Sequence, residues 1–292
     1  MAVGEQHQHR RDFDQRLVGV RVMSEAERVA GLLSREGVAV TTAGDLFGSD
    51  VPTSLTDLAA EFIASERVAV ESDKYNRGIA REVRFKQGTI KYQDRQQFHA
   101  THPLLTTGLS DAVLGTMSRY AQQPLRFIAA DLLYMPPNTA TRAREWSHNW
   151  HRDPEDACTL KVFWYFADVT QDAGPFEYVI GSHAGGHPEL CAPGAYAPAG
   201  AVEGGNATRA VFICPKDSIV FADTSGIHRG GYTRWAARCS AVWTFVPVGS
   251  GATRLFSLDG VPRNLSAAGR IALDVGACAD ADEYRRDLAG AR

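Results

Sequence analysis

The sequence predicts a mainly β protein with flanking helices, and two patterns support this prediction. From Leu125 onward, apolar stretches of strand length alternate with turns that contain Pro, Gly and Asp. Before them, apolar residues recur at helical spacing behind capping residues. Short strands separated by such turns are typical of a β-sandwich or a β-barrel. We therefore expect N-terminal helices over about 24–123, a β core over about 125–248 and a C-terminal extension over 249–292, all within one domain, 21–292.

Capping residues mark the predicted helices. The first helix begins at a capping box, in which Ser24 is followed by Glu27, and Gly37 ends it. A second helix is predicted from the similar pair Ser54 and Asp57. The other elements predicted before the core are a short strand over 38–40, a hairpin over 81–92 and a helix over about 110–122.

The predicted core strands cover residues 125–135, 159–169, 176–180, 210–214, 218–222 and 238–248. Between them, residues 181–208 are rich in Gly, Ala and Pro. Loops of that length are usually lids or disordered segments. Residues 1–20 are charged and unpatterned, so we expect a flexible tail there, and we expect a helix near 282–288 in the C-terminal extension.

Composition favours a small molecule as the partner. A formal net charge of -3 and a pI near 6.3 provide no basic field for nucleic acid or for a membrane surface. No stretch reaches the roughly 20 apolar residues that cross a bilayer, and the polar start has no apolar signal segment. We therefore expect a cytoplasmic protein, either a monomer or a homodimer.

The cysteines do not suggest a disulfide framework or a zinc site. The five cysteines are scattered and include no C-x-x-C pair, which predicts free and mostly buried thiols. Cys158 lies close to His151 in sequence, so it is either a metal ligand or a small core residue, and the second interpretation is favoured.

The candidate metal site consists of His151 and Asp153 with the distant His228. Residues two apart in a strand point to the same side, so His151 and Asp153 can converge on one ion while Arg152 points away. His228 follows a strong strand within a Gly-containing turn, which suits a third ligand. Two imidazoles and one carboxylate suit Fe(II) and leave positions for a chelating cosubstrate and dioxygen. Alone, the H-x-D triplet is weak evidence, because such a triplet is more often a surface His and a capping Asp, here before Pro154.

The order of the motifs around this triplet carries a family resemblance. The run from Ser147 to Asp153, then Phe166-x-Asp168-Val169, then Gly174-Pro175 and Gly181-Ser182-His183, resembles the phytanoyl-CoA dioxygenase family of Fe(II)/2-oxoglutarate oxygenases. The resemblance covers roughly 125–248. It implies a double-stranded β-helix core of the jelly-roll, cupin-like type. It also implies that His151, Asp153 and His228 hold Fe(II), that 2-oxoglutarate and O2 are cosubstrates, and that His183 is structural or lines the entrance.

The resemblance also implies an arginine for the cosubstrate. The family places it about ten residues after the distal histidine, where Arg238 stands. A planar guanidinium pairs with a carboxylate through two hydrogen bonds, and Ser240 on the same strand face can donate another. Arg229 and Arg234 are rivals, but both are expected to face solvent.

Further contacts are less specific. Thr159 and Lys161 are possible cosubstrate contacts, with a solvated strand face as the alternative for Lys161. Residues 134–148 run into the metal motif and must border the site if this fold is right. The candidate substrate contacts are Tyr134, Arg142, Arg144, Trp146 and Trp150. The alternative interpretations are that the arginines are solvated turn residues and that Trp150 only packs in the core.

The implied activity is decarboxylation of 2-oxoglutarate coupled to oxidation of a C–H bond in a small molecule, in a setting such as natural-product metabolism. Hydroxylation is the default outcome. Related halogenases carry Gly or Ala in place of the carboxylate, so Asp153 disfavours halogen transfer. Desaturation, cyclisation and epimerisation stay open, as do a carrier-bound substrate and a non-catalytic cupin-like ligand-binding protein. An intact ligand set and Arg238 argue against the last of these.

Overall fold

The computed structural model describes residues 24–77, 89–93, 97–138 and 146–275. Within these ranges no helix is long and apolar enough to span a membrane. The predicted tail over 1–20, most of the predicted hairpin over 81–92 and the predicted helix over 282–288 lie outside the described residues.

Most described helices precede the core strands. They are α1 (Glu25–Glu36), α2 (Ala43–Phe47), α3 (Thr53–Ile63), α4 (Glu66–Asn76), α5 (Pro103–Gly108) and α6 (Thr116–Ala121), followed later by α7 (Ala201–Gly204) and α8 (Ala267–Ala272). The capping box predicted at Ser24 is confirmed: the Ser24 hydroxyl accepts from the Glu27 amide, and Glu27 accepts from the Ser24 amide. Gly37 ends α1 in the left-handed conformation, as predicted.

Two helix predictions need correction. Helix α3 begins at Thr53 after Pro52, and no side chain caps it, so Ser54 lies in the first turn and is not the cap. The helix predicted over 110–122 is present, but its first part, Asp111–Gly115, is a π-helical turn that leads into α6. Helices α4 and α5 were not predicted, because their apolar positions are few and do not form a long periodic pattern.

The strands form two antiparallel sheets and one small parallel pair. They are β1 (Val38–Thr42), β2 (Ile90–Lys91), β3 (Gln97–His99), β4 (Leu125–Met135), β5 (Leu160–Tyr165), β6 (Phe176–Val179), β7 (Arg209–Val211), β8 (Ser218–Asp223), β9 (His228–Gly230), β10 (Arg238–Pro247) and β11 (Ser257–Asp259). The large sheet has the order β1-β8-β5-β10-β4-β2, the small sheet has the order β7-β6-β9, and β3 pairs with β11. All six predicted core strands are present, and β5 is shorter than predicted.

The large sheet has helices on one face and the small sheet on the other. On β10, Ala241 and Trp243 belong to the core cluster that includes Leu33 of α1 and Leu105 of α5. On the opposite face, the ring of Phe163 lies 4.9 Å from the ring of Phe176 in the small sheet. Because side chains alternate along a strand, Arg238 and Ser240 face the small sheet. This position between the sheets is where the predicted site residues meet.

The stretch over 181–208 differs from the predicted free loop. Tyr196 pairs with His151, and His151 pairs on its other side with His228 of β9. The Ala197 amide donates to the Trp150 carbonyl at 2.9 Å, and the Arg152 amide donates to the Ala195 carbonyl at 3.0 Å. The small sheet is thus extended by the metal motif and then by residues 195–197. The disordered alternative is therefore wrong.

Candidate metal centre

The three predicted metal ligands converge at one buried point. One donor atom each from His151, Asp153 and His228 lies within 4.8 Å of the others. His151 Nε2 is 3.6 Å from Asp153 Oδ1, and His228 Nε2 is 3.6 Å from Asp153 Oδ2. All three residues are buried. Within the described part of the chain, no other group of His, Cys, Asp and Glu forms such a cluster.

Main-chain carbonyl groups orient both imidazoles. Nδ1 of His151 lies 2.9 Å from the Asn149 carbonyl oxygen, and Nδ1 of His228 lies 2.9 Å from the Gly226 carbonyl oxygen. Carbonyl partners require a proton on Nδ1, which leaves the Nε2 lone pair free for a metal. Burial and the neighbouring His151 lower the pKa of His228 to about 3, so this imidazole is neutral at neutral pH.

Asp153 is ionised and carries a lysine partner. Burial alone would raise its pKa, but the positive charge of the Lys161 ammonium holds the pKa of Asp153 well below its usual range. Lys161 Nζ lies 2.6 Å from Asp153 Oδ2. The sequence did not reveal this ion pair, and it excludes the solvated alternative for Lys161.

The chain around the metal motif is fixed by Arg152, by a hydrogen bond to the Ser182 hydroxyl and by close packing at Gly226. Arg152 points away from the ligands, as predicted, and donates to the carbonyl oxygens of Ser182 at 2.6 Å and Ser225 at 2.8 Å. The Ser182 hydroxyl accepts from the Ile227 amide at 2.7 Å, immediately before His228. Position 226 requires glycine, because a Cβ there would lie 1.9 Å from the Tyr178 hydroxyl. These contacts place His228 opposite His151.

These donors fit a divalent transition metal. Two imidazoles and one carboxylate on one side form the set that holds non-haem Fe(II) and leaves the opposite positions open. The donor atoms are buried together, and a metal ion bound to them would offset the cost of burying the Asp153 charge. Cys158 is not in the cluster and packs against the main core, so the favoured interpretation of this thiol as a core residue agrees with the geometry.

Arg238 and Ser240 lie on the same face of β10, between the sheets. The Arg238 guanidinium is buried and donates to the Ala173 carbonyl oxygen at 3.3 Å. Among the described residues no carboxylate pairs with Arg238, and burial lowers its pKa. A buried guanidinium without an acid partner is costly unless an anion binds it. The residues therefore fit a dicarboxylate cosubstrate.

The rival arginines are placed differently. Arg229 was expected to face solvent, but this expectation is wrong. Its guanidinium pairs with Glu177 at 2.8 Å and Glu203 at 2.8 Å, and it stacks 4.2 Å from the Trp150 ring centroid. Strand β9 turns this side chain away from the metal side. Arg234 is exposed, as predicted.

Two other predicted residues have structural contacts. The Thr159 hydroxyl exchanges hydrogen bonds with the backbone of Asp156, so it closes the turn after the metal motif. His183 packs against the end of α1, where its Nε2 lies 3.3 Å from the Ser34 carbonyl oxygen. This contact agrees with the structural alternative for His183.

The predicted aromatic substrate contacts are not at the metal. Tyr134 packs with the helix-side core, on the opposite face of the large sheet from Arg238. Trp150 is buried beside Val179 and Val202, and its Nε1 donates to Glu203 at 2.8 Å. Their positions argue against the predicted substrate contacts, because alternation along a strand sends both side chains away from the metal. Arg142 and Arg144 lie outside the described residues, and only the backbone of Trp146 is described.

Tyr196, which the sequence did not suggest, lies beside the metal motif. Tyr196 is paired with His151, its ring centroid lies 5.5 Å from that of His151, and it is half exposed. Asn138 follows β4, is buried, and both polar atoms of its side chain lack a partner. No local pattern marks Tyr196, because its position depends on pairing across 45 residues. Asn138 lies three residues after the end of β4, within the segment over 134–148 that the sequence analysis placed at the border of the site.

Comparison with known families agrees with this geometry. The model of the phytanoyl-CoA dioxygenase (PhyH) family matches residues 35–221, well over half of the chain. The chain belongs to the phytanoyl-CoA dioxygenase family. It is thus a non-haem Fe(II)- and 2-oxoglutarate-dependent dioxygenase that oxidises a small-molecule substrate. No curated protein sequence matches the chain significantly.

Solved structures share the fold of this family member. EctD from S. alaskensis in its apoform is 18% identical, with a TM-score of 0.55, over 88% of this chain and 91% of that chain. EctD with 2-oxoglutarate and 5-hydroxyectoine is 17% identical, with a TM-score of 0.51, over 89% and 92%. AviO1 from Streptomyces viridochromogenes is 15% identical, with a TM-score of 0.52, over 80% and 100%. The predicted jelly-roll core is confirmed.

Proposed function

We propose that His151, Asp153 and His228 bind the Fe(II) of this dioxygenase, and that Arg238 with Ser240 binds the distal carboxylate of 2-oxoglutarate. The observation that carries the proposal is the convergence of three buried donor atoms within 4.8 Å on one side of a point between the two sheets. Both imidazoles are already oriented through Nδ1, so little rearrangement is needed to bind a metal.

The placement of Arg238 supports its role as the carboxylate anchor. Its guanidinium is buried between the sheets and contacts neutral partners, the Ala173 carbonyl oxygen and the Met135 sulfur. A dicarboxylate that reached from the metal to Arg238 would neutralise this charge. Asn138, buried next to the end of β4 with both side-chain polar atoms unpaired, is a further candidate for a polar contact with the cosubstrate.

The proposed reaction is hydroxylation of a C–H bond. Overall, 2-oxoglutarate and O2 give succinate and CO2, one oxygen atom enters succinate, and the other enters the substrate as a hydroxyl group. The metal supplies the oxidative chemistry, which side chains alone do not provide. The chain holds the donors, anchors the cosubstrate and shields the centre from water. Asp153 occupies the position that a halide would need, which favours hydroxylation over halogen transfer.

The substrate side of the proposed site includes Tyr196. Residues directly opposite each other in an antiparallel pair share a face, so the Tyr196 ring lies on the same side as the metal-binding imidazole of His151. Its half-exposed ring provides an apolar surface at the entrance. Arg142, Arg144 and Trp146 stay predicted substrate contacts from the segment before the metal motif.

Binding of Ni(II) and of 2-oxoglutarate tests these assignments without knowledge of the substrate. Calorimetry of His228→Ala should show at least about a hundredfold loss of Ni(II) affinity, since one of three donors is gone. His183→Ala is the matched control and should bind Ni(II) as the wild type does. Arg238→Met should keep Ni(II) but weaken 2-oxoglutarate binding at least about tenfold, because a charge-assisted bidentate pair is lost. Arg234→Met is the exposed control.

The same proteins with Fe(II), ascorbate and oxygen should convert 2-oxoglutarate to succinate slowly even without substrate. Wild type and His183→Ala should do so, and His228→Ala should not. If His183→Ala lost Ni(II) binding while His228→Ala kept it, the assignment of His228 as the third ligand would be wrong. Equal 2-oxoglutarate affinity in wild type and Arg238→Met would show that Arg238 does not bind the cosubstrate.

A further inference from the structure

Lys161 is placed to act on the metal-binding carboxylate. It lies on β5 opposite Thr244 of β10, and its side chain faces the space between the two sheets. Its Nζ is 2.6 Å from Asp153 Oδ2, and the side chains of Lys161 and Asp153 are 17% and 8% exposed. A lysine this deeply buried is rare unless it has a fixed partner. Its partner here is one of the three proposed ligands.

The two oxygen atoms of Asp153 have different neighbours. Oδ1 faces His151 Nε2 at 3.6 Å. Oδ2 faces His228 Nε2 at 3.6 Å and is also the atom that Lys161 contacts. Carboxylates bind metal ions through one oxygen or through two. An ammonium group held against one oxygen competes with the metal for that atom.

We propose that Lys161 is a positioning residue that restricts Asp153 to metal binding through a single oxygen. The inference rests on the proposed ligand set. A carboxylate bound through both oxygens would take one more metal position. Binding through a single oxygen would leave that position for the cosubstrate or dioxygen. Lys161 thereby preserves the open side of the metal.

The type of residue suits this role. Lysine is a compact point charge on a flexible stem, and it can hold one oxygen while it leaves the other free. Arginine would engage both oxygens of a carboxylate through its planar fork.

The chain offers a matched control in Lys91. Lys91 on β2 pairs with Asp131 on β4 at 2.9 Å, and both belong to the same large sheet as Lys161. Asp131 is not one of the clustered metal-binding candidates. Lys91 is more exposed than Lys161, at 38% against 17%, and its substitution removes a lysine from an ion pair that contains no proposed ligand.

The experiment compares Lys161→Met with Lys91→Met in three measurements on the full chain, after circular dichroism has verified folding. The first is calorimetric titration with Ni(II). The second is titration of the Ni(II)-loaded protein with 2-oxoglutarate. The third is the visible absorption spectrum of the Co(II)-loaded protein before cosubstrate is added, since Co(II) bands report coordination number and geometry.

In Lys161→Met we expect Ni(II) to bind at least as tightly as in the wild type, because a competing positive charge is gone. We expect 2-oxoglutarate to bind at least about tenfold more weakly and the Co(II) spectrum to change. Lys91→Met should match the wild type in all three measurements.

Three outcomes would overturn the inference. One is unchanged 2-oxoglutarate affinity in Lys161→Met, and another is loss of Ni(II) binding by the folded variant. The third is weaker 2-oxoglutarate binding with an unchanged Co(II) spectrum, which would mean that Lys161 contacts the cosubstrate directly. Failure of the proposed function is distinguishable, because then the wild type itself would not bind Ni(II) or 2-oxoglutarate.

Discussion

Arg152 lies between two proposed metal ligands in the sequence, and its buried side chain is held by main-chain carbonyl oxygens. It donates to Cys191 at 2.9 Å, Ser182 at 2.6 Å and Ser225 at 2.8 Å, and it also contacts the carbonyl oxygen of Gly186. One side chain thus satisfies carbonyl groups from two segments that surround the site. Its fork geometry suits several acceptors at once.

Substitution of Arg152 should therefore destabilise the protein. Arg152→Met leaves several buried carbonyl groups without a donor, and we expect the free energy of unfolding to fall by about 3 kcal/mol. Urea denaturation measures this change. Arg35→Met, at an exposed position, should change it by less than about 0.5 kcal/mol. Equal unfolding midpoints for the two variants would mean that water replaces the lost donors.

The sequence correctly predicted the position of side chains whose placement follows from their spacing. Its predictions were wrong for side chains whose role depends on which face of a strand they occupy. His151 and Asp153 are two apart in an extended segment, so their convergence could be predicted. Tyr134 and Trp150 also lie in extended segments, where side chains alternate between the two faces. The sequence does not show which of the two faces is directed toward the metal. That orientation is set by packing partners far away in the chain.

The pairing of residues 195–197 with the metal motif is the main unexpected feature among the elements. The Ala197 amide donates to the Trp150 carbonyl, and Tyr196 pairs with His151. Composition indicated a loop because the stretch over 181–208 is rich in Gly, Ala and Pro. Three residues without alternating polarity give no strand signal, so only the long-range pairing defines them as an edge strand.

A proline at position 197 tests this element. Ala197→Pro removes the amide that donates to Trp150, and we expect a loss of about 1 kcal/mol in stability together with faster proteolysis within 183–200. Ala199→Pro is the control, because the Ala199 amide makes no backbone hydrogen bond among the described residues. We also expect weaker Ni(II) binding in Ala197→Pro only, since His151 loses support on one side. Identical proteolysis of both variants would refute the role of this edge strand.

Across the whole molecule, Asp223 joins all three layers. It lies at the end of β8 in the large sheet and accepts from the Tyr120 hydroxyl of α6 at 2.6 Å. The Tyr178 hydroxyl, from β6 in the small sheet, donates to the Asp223 main-chain oxygen at 2.7 Å. Ser225 donates to the same side chain. The helices and both sheets are therefore tied together through one residue beside the metal centre.

The overall architecture was predictable because the core strands are strongly apolar and the motif order resembles one family. The connections between layers were not predictable. Tyr120 and Asp223 are 103 residues apart, and each alone is an ordinary helix-end or strand-end residue. Polar contacts between layers carry no periodic signal, so they become visible only when both partners are placed.

The buried carboxyl of Asp223 should make stability depend on pH. Burial raises its pKa in the folded protein, although hydrogen bonds from Ser225 and Tyr120 oppose this. The folded state then binds the proton more tightly than the unfolded state, whose aspartate pKa is about 3.9. The stabilisation from Asp223 is full below that value and is lost as pH rises through the higher folded pKa. Asp223→Asn removes this titration, so its stability relative to wild type should increase from about pH 4 to about pH 7. Urea denaturation across this range measures the difference in free energy of unfolding between Asp223→Asn and the wild type. Asp57→Asn, at an exposed position, is the control. A difference that is independent of pH would show that folding does not shift the pKa of Asp223.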